Sequence, residues 1–288
     1  MSISEYKILV DRYLESCFIP SGHTYDKLLD SMRYSLMAGG KRIRPILALE
    51  FARISGGNIN EILPIACAIE MLHTYSLIHD DLPCFDNDDL RRGKPTNHIV
   101  YGNWLATLAG DALQAEAFNT ILKSSLAPDT KCACAQLLGE AAGVNGICSG
   151  QYLDMAFEGK PLTSAQLDEI NLHKTGILLQ ASCEIGVTAA GGTEEQRKAA
   201  ASFGAKIGMA FQIRDDILDV ISTESKLGKT IGSDAEEHKN TYMVLLGQES
   251  CEKKIRELTD SAKSSIQEIF QDTKQLESFA EALASRLE

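Results

Sequence analysis

Phe211-Gln212-Ile213-Arg214-Asp215-Asp216-Ile217-Leu218-Asp219 sets three carboxylates into an apolar run that continues through Val220 and Ile221. Read as a helix, the segment places Asp219 four residues after Asp215 and three after Asp216, so the three acids crowd one face. Repulsion between them is unfavourable, and apolar neighbours offer no relief. A compensating cation is expected. Oxygen-only ligands without nearby Cys or His point to magnesium, which takes few carboxylates and shares phosphate oxygens.

A second acidic stretch lies earlier, at His79-Asp80-Asp81-Leu82-Pro83-Cys84-Phe85-Asp86, with Asp88 and Asp89 beyond it. Pro83 restricts the residue before it, so the chain is expected to turn after Asp81 and bring Asp86 back towards Asp80. Either cluster alone reads equally well as a solvated acidic helix end. Two of them, each led by an apolar helix, favour a shared ion site.

Basic residues stand beside these acids. Gly39-Gly40-Lys41-Arg42-Ile43-Arg44-Pro45 puts three cations on a glycine turn, where backbone amides can also point at an anion. Arg91 and Arg92 follow the first acidic stretch, as bidentate phosphate ligands would. Lys174-Thr175, Lys229 and Lys239 come later. Each alone reads as a surface cation. Grouped beside acidic clusters in an acidic chain, they suggest a polyphosphate, and room for two of them.

Outward from these motifs the chain reads as helical. Helices are expected at 25–38, stopped by Gly39-Gly40, at 44–54, from Pro64 towards Asp80, and at 104–123, 131–139, 140–157, 164–187 and 194–222, with two or more in 242–287. Residues 86–97 read as a polar loop. One domain over 1–288, with no fixed-period repeat, is the expectation. The net charge of −12 argues against a nucleic-acid partner. Eight cysteines without a C-x-x-C pair suit a reducing cytoplasm. Neither a signal peptide nor an uninterrupted apolar run of about 18 residues is evident.

In these motifs, together with Leu108-Ala109-Gly110-Asp111-Ala112-Leu113, Gly150-Gln151 and His173-Lys174-Thr175-Gly176, the sequence resembles the trans-type polyprenyl diphosphate synthases, in particular the bacterial farnesyl diphosphate synthases. The resemblance runs from about Ser31 to Leu246. It implies an all-α, isoprenoid-synthase-type helical bundle around a central cavity, built as a homodimer. It implies Mg2+, three ions in the closed complex, held by Asp80, Asp81, Asp86, Asp215, Asp216 and Asp219. Arg91, Lys174, Thr175, Gln212, Lys229 and Lys239 would bind the allylic diphosphate, dimethylallyl or geranyl diphosphate. Lys41, Arg44, His73 and Arg92 would bind isopentenyl diphosphate. His73 has support of its own. Seven residues before Asp80, it falls within roughly 20° of it around a helix.

The reaction so implied is a prenyl transfer begun by ionisation of the allylic diphosphate, with Asp80, Asp81, Asp86, Arg91, Lys174 and Asp215 as its catalytic set. Tyr75, with Ser76, stands where an aromatic residue goes with a C15 product in bacterial relatives, and the six-residue step from Asp80 to Asp86 carries the matching insertion. Around an ideal helix Tyr75 lies about 140° from Asp80. Asn87, Ser233 and the C-terminal Ser285-Arg286-Leu287-Glu288 depart from patterns common among relatives. A geranylgeranyl or geranyl diphosphate synthase is the nearest alternative. A terpene cyclase would have no use for the second basic set, and a silent regulatory subunit would lack one of the acidic clusters.

Overall fold

The protein was analysed as a computed structural model, which describes residues 1–227 and 241–285. Its Cα positions group into two compact units, Met1–Leu138 with Ile185–Gly192, and Gly139–Glu184 with Thr193–Glu288. Among the described residues the only strands are two of two residues each, so the all-α expectation holds.

Unit 1 is organised by α4 (Ile59–Asp80), which packs against α1 (Ile3–Glu15), α2 (Asp26–Leu36), α3 (Ile43–Ile54) and α6 (Asn103–Lys123). Ile62, Ile65, Ala66, Cys67, Ile69, Met71, Leu72 and Ile78 are all buried, which leaves α4 with almost no polar face. A helix apolar all round belongs in a core or a membrane. By length and composition α4 could cross a membrane, but 67% of its most apolar window is buried inside the protein. It is interrupted by Glu61, Glu70, His73 and His79, so it is no uninterrupted apolar run.

The helix begins five residues before Pro64, capped by Asn58, whose side chain accepts from the Asn60 amide at 3.1 Å. Pro64 therefore sits in the second turn rather than opening the helix. The expected 25–38 helix ends earlier, at Leu36 with Met37 as its cap, and Gly39-Gly40 follow with φ of 94° and 119°. A short hairpin, β1 (Leu90–Arg91) paired antiparallel with β2 (Lys94–Pro95), replaces the expected polar loop. Its turn residues, Arg92 and Gly93, both have positive φ, 55° and 75°, as a two-residue turn matched to strand twist requires.

The glycine turn is fixed from below by Arg42, which is buried and left-handed at φ 52°. Its guanidinium donates to Glu70 Oε1 at 2.8 Å, Asp11 Oδ1 at 2.9 Å and the Leu36 carbonyl at 2.8 Å. Arg42 therefore belongs to the core and not with Lys41 and Arg44 as an anion ligand.

Unit 2 is built on α11 (Glu194–Leu227), packed by α13 (Gln248–Gln267) and α14 (Lys274–Ser285). The two helices expected at 131–139 and 140–157 both form, with the break between them later, as α7 (Pro128–Ala142) and α8 (Ile147–Phe157). Between α9 (Ser164–Asn171) and α10 (Ile177–Ala189) the chain widens into a π turn, Leu172–Gly176, within what reads in sequence as one helix. That turn lies directly on α8 at Gly150, where a Cβ would come within 2.2 Å of the Lys174 amide nitrogen.

Glu70→Ala leaves Arg42 buried without its main counter-charge and is expected to cost about 3 kcal/mol in urea unfolding. Pairing Arg42→Met with Glu70→Leu should recover most of that loss, because no isolated charge remains.

Candidate active site

In unit 1 the C-terminal end of α4 delivers Asp80 and Asp81 together. The chain then turns as Pro83 predicts. The Asp86 amide donates to the Asp80 carbonyl at 2.9 Å, and the Phe85 and Asn87 amides donate to the Leu82 carbonyl at 2.8 and 3.2 Å. This closed loop brings the Asp86 backbone back to Asp80, with Asp86 itself exposed.

Arg91 reaches into the same corner from the hairpin. Its Nε and Nη2 both lie 2.6 Å from Asp81 Oδ1, and Nη2 lies 3.9 Å from Asp80 Oδ2 and 3.6 Å from Asp88 Oδ2. Asp81 is buried, and that burial pushes its carboxyl above the ordinary range, against the pull of Arg91. Burial also works against the Arg91 charge, but Asp81, Asp80 and Asp88 outweigh it and hold the guanidinium firmly protonated. Nothing in the spacing of Asp88 tells it from the exposed acids around it, so its contact with Arg91 has no signal in the sequence.

The hairpin is pinned beneath. Thr96 Oγ1 donates to the Asp88 carbonyl at 2.6 Å and Tyr34 Oη to the Pro95 carbonyl at 2.7 Å. Buried Asn97 ties the start of α5 (Asn97–Tyr101) to α2 through Ser31 and Ser35, each contact at 2.8 Å.

A basic group of different character flanks this corner. Arg44 Nη1 lies 3.1 Å from His73 Nε2, while Arg92 crosses to the glycine turn and donates to the Gly39 carbonyl. Burial lowers the Arg44 pKa to about 10, assisted by the charge of Arg92. Burial, and then Arg44, Arg92, Arg91 and Arg42, hold the His73 imidazole well below its usual range. Arg44 Nε is buried with no hydrogen-bond partner among the described residues. A desolvated, cation-rich group of this kind suits an anion. Lys41, three residues before Arg44, is exposed.

Unit 2 carries the later motif. The π turn presents Lys174, whose Nζ lies 2.6 Å from Asp154 Oδ2, and Thr175, whose hydroxyl donates to Gln212 Oε1 at 3.1 Å. Gln212 in turn donates to Asp216 Oδ1 at 3.3 Å, and the Tyr242 amide donates to Asp216 Oδ2 at 2.8 Å. Both Asp216 oxygens therefore serve the packing of unit 2. Sequence spacing does not reveal Asp154 and Tyr242, because their partners lie 20 and 26 residues away, beyond any helical period. Lys229, Ser233, Lys239 and 286–288 lie outside the described residues, as does the side chain of Asp219.

Among the described residues no three His, Cys, Asp or Glu side chains converge as a ready metal cage. The donor chemistry still fits magnesium: Asp80 and Asp81 are hard oxygen ligands, and the corner between them already holds a cation, the Arg91 guanidinium. On α4, Tyr75 is buried at 6% exposure and meets the His79 ring edge-on, with centroids 5.5 Å apart. Ser76 Oγ donates to the His73 carbonyl at 2.9 Å.

An acidic helix end, an arginine hairpin and a desolvated basic group are the equipment of an enzyme that handles phosphorylated substrates, and similarity to known proteins specifies which. Residues 25–282 match the polyprenyl synthetase family, a range that takes in most of both units, and the chain belongs to that family of prenyltransferases of isoprenoid biosynthesis. It is 44% identical over 280 residues to a farnesyl diphosphate synthase of Geobacillus stearothermophilus, covering 96% of this chain and 93% of that one. It is 48% identical over 247 residues to a geranylgeranyl diphosphate synthase of Cyanophora paradoxa, covering 83% and 81%. The crystal structure of an FPP/GFPP synthase from Zymomonas mobilis matches with a TM-score of 0.88 at 31% identity, covering 98% and 97%.

Because His73 titrates lower when folded, the unfolded chain binds the extra proton and stability falls as pH drops below about 6.5. Urea midpoints at about pH 7.5 and about pH 5.5 should differ more for the wild type than for His73→Gln. An equal difference in the two proteins would show that His73 contributes nothing to the acid loss.

Proposed function

We propose that this chain is a farnesyl diphosphate synthase, working as one polyprenyl synthase domain and condensing isopentenyl diphosphate with dimethylallyl and then geranyl diphosphate. The observation that carries this reading is the pairing, within one unit, of an acidic corner gripped by Arg91 with a desolvated Arg44–His73–Arg92 group. One suits a diphosphate bound with metal; the other suits a diphosphate bound by cations alone.

In this reading Asp80, Asp81 and Asp86, with Asp215, Asp216 and Asp219, hold magnesium, which neutralises charge on the departing diphosphate when bound. Arg91, Lys174, Thr175, Gln212, Lys229 and Lys239 hold the allylic diphosphate and stabilise its charge as the carbon–oxygen bond breaks. Lys41, Arg44, His73 and Arg92 orient isopentenyl diphosphate, so that its double bond attacks the allylic carbon. The proton lost afterwards passes to the released diphosphate. Within the metal set, Asp216 is also oriented from behind, because its oxygens accept from Gln212 and from the Tyr242 amide and keep further lone pairs for the ion. A homodimer in the cytoplasm completes the reading.

Product length is a question of burial. Each C5 unit gains about 4 kcal/mol when buried, at about 0.8 kcal/mol per carbon, so growth stops only where a side chain fills the path. Tyr75, buried in α4, is assigned that role, with Ser76 beside it. The 48% identity with a geranylgeranyl diphosphate synthase supports a second reading, a C20 product.

The deciding assay uses labelled isopentenyl diphosphate, dimethylallyl or geranyl diphosphate, and magnesium, with the product chain length measured. C15 as the major product is expected, and a C20 product would replace the first reading with the second. Alanine at Asp80 or Asp215 should lower turnover about a thousandfold; near-normal turnover would remove that residue from the metal role. Tyr75→Ala should shift the product to C20 and longer, and unchanged C15 would place the stop elsewhere.

A further inference from the structure

Arg91 is committed to carboxylates more completely than a phosphate ligand need be. Two of its nitrogens meet a single oxygen of buried Asp81, and one of these also draws in Asp80 and exposed Asp88. The guanidinium thus sits among the oxygens that a divalent cation would use. Magnesium binds carboxylate oxygen at about 2.0–2.1 Å, and it would bring like charge against Arg91 on the same atoms. The backbone of Arg91 is fixed in the hairpin by its pairing with Lys94. Its side chain is 30% exposed and has somewhere to go.

We propose that Arg91 and a divalent cation contest the corner formed by Asp80, Asp81 and Asp88, so that the ion is held there only when the guanidinium swings out onto a diphosphate. Arg91 is then a lock as well as a ligand. A diphosphate that draws it away raises the affinity of the carboxylates for the ion, and the ion by the same reciprocity raises the affinity for the diphosphate. Asp88 acquires a role as the outer arm that keeps Arg91 in place. The proposal rests on the magnesium reading above and adds the order in which the charges are exchanged.

The opposite arrangement would make Arg91 a fixed support that orients Asp81 towards the ion. The two differ in sign. The test titrates the full chain with Mn2+ alone, reading the unbound ion by electron paramagnetic resonance. Arg91→Gln should bind Mn2+ about tenfold tighter than wild type, within the range of ordinary site coupling. Arg91→Lys keeps the charge but loses the two-nitrogen grip, and it should bind at least about threefold tighter. Lys94→Gln removes a charge from the paired hairpin position and should stay within about twofold of wild type. Equal or weaker binding by Arg91→Gln overturns the lock. So does an Arg91→Lys affinity equal to wild type, or a Lys94→Gln gain matching that of Arg91→Gln, because charge alone would then explain the effect. If Arg91→Gln does not fold, Arg91→Lys decides. Failure of the magnesium reading would show separately, as wild-type turnover that survives a chelator.

Discussion

Burial of α4 constrains everything in unit 1. A helix enclosed by four others must hide its polar side chains or pair them. Glu70 is neutralised by Arg42, which anchors the turn bearing Lys41 and Arg44. His73 is held as a neutral ring against Arg44. Asp80 and Asp81 come at the end, where the helix leaves the core and an arginine from the hairpin meets them. Packing thus fixes the charges within the helix, Glu70 and His73, which cannot move without disturbing an apolar interior.

Features that depend on local chemistry are legible in the sequence alone. Gly39-Gly40 turns the chain just after α2 because positive φ suits glycine, and both residues adopt it. Pro83 turns the chain, and the amide of Asp86 returns to the carbonyl of Asp80. The family is legible too, from ordered motifs that only one kind of enzyme combines. What escapes a reading of the sequence depends on contacts distant along the chain. Arg42 looks like its neighbours Lys41 and Arg44 until Glu70 and Asp11 are seen to claim it. The Arg92-Gly93 turn is hidden because one of its two left-handed positions is filled by arginine, which rarely adopts that conformation.

Unit 2 shows the same division. The helical spacing of the later acids is plain from sequence, yet the π turn is not, because Leu172–Gly176 has the composition of the helices on either side. Its extra width is set by contact. Gly150 lets the backbone of Lys174 settle onto α8, and Thr175 meets Gln212 on α11. π turns are rare and gather at functional positions, and this one carries Lys174 and Thr175, two of the six residues that the resemblance assigns to the allylic diphosphate.

Arg91 ends the first strand and Arg92 opens the left-handed turn, and this change of backbone sends Arg91 to the carboxylates and Arg92 to the glycine turn. Four paired residues and a two-residue bend form a single tile with no internal joint. The two arginines therefore share one mechanical mount. Any disturbance of Gly93 would loosen the Asp81 contact and the Gly39 contact at once, imitating a global defect while the helices stayed intact.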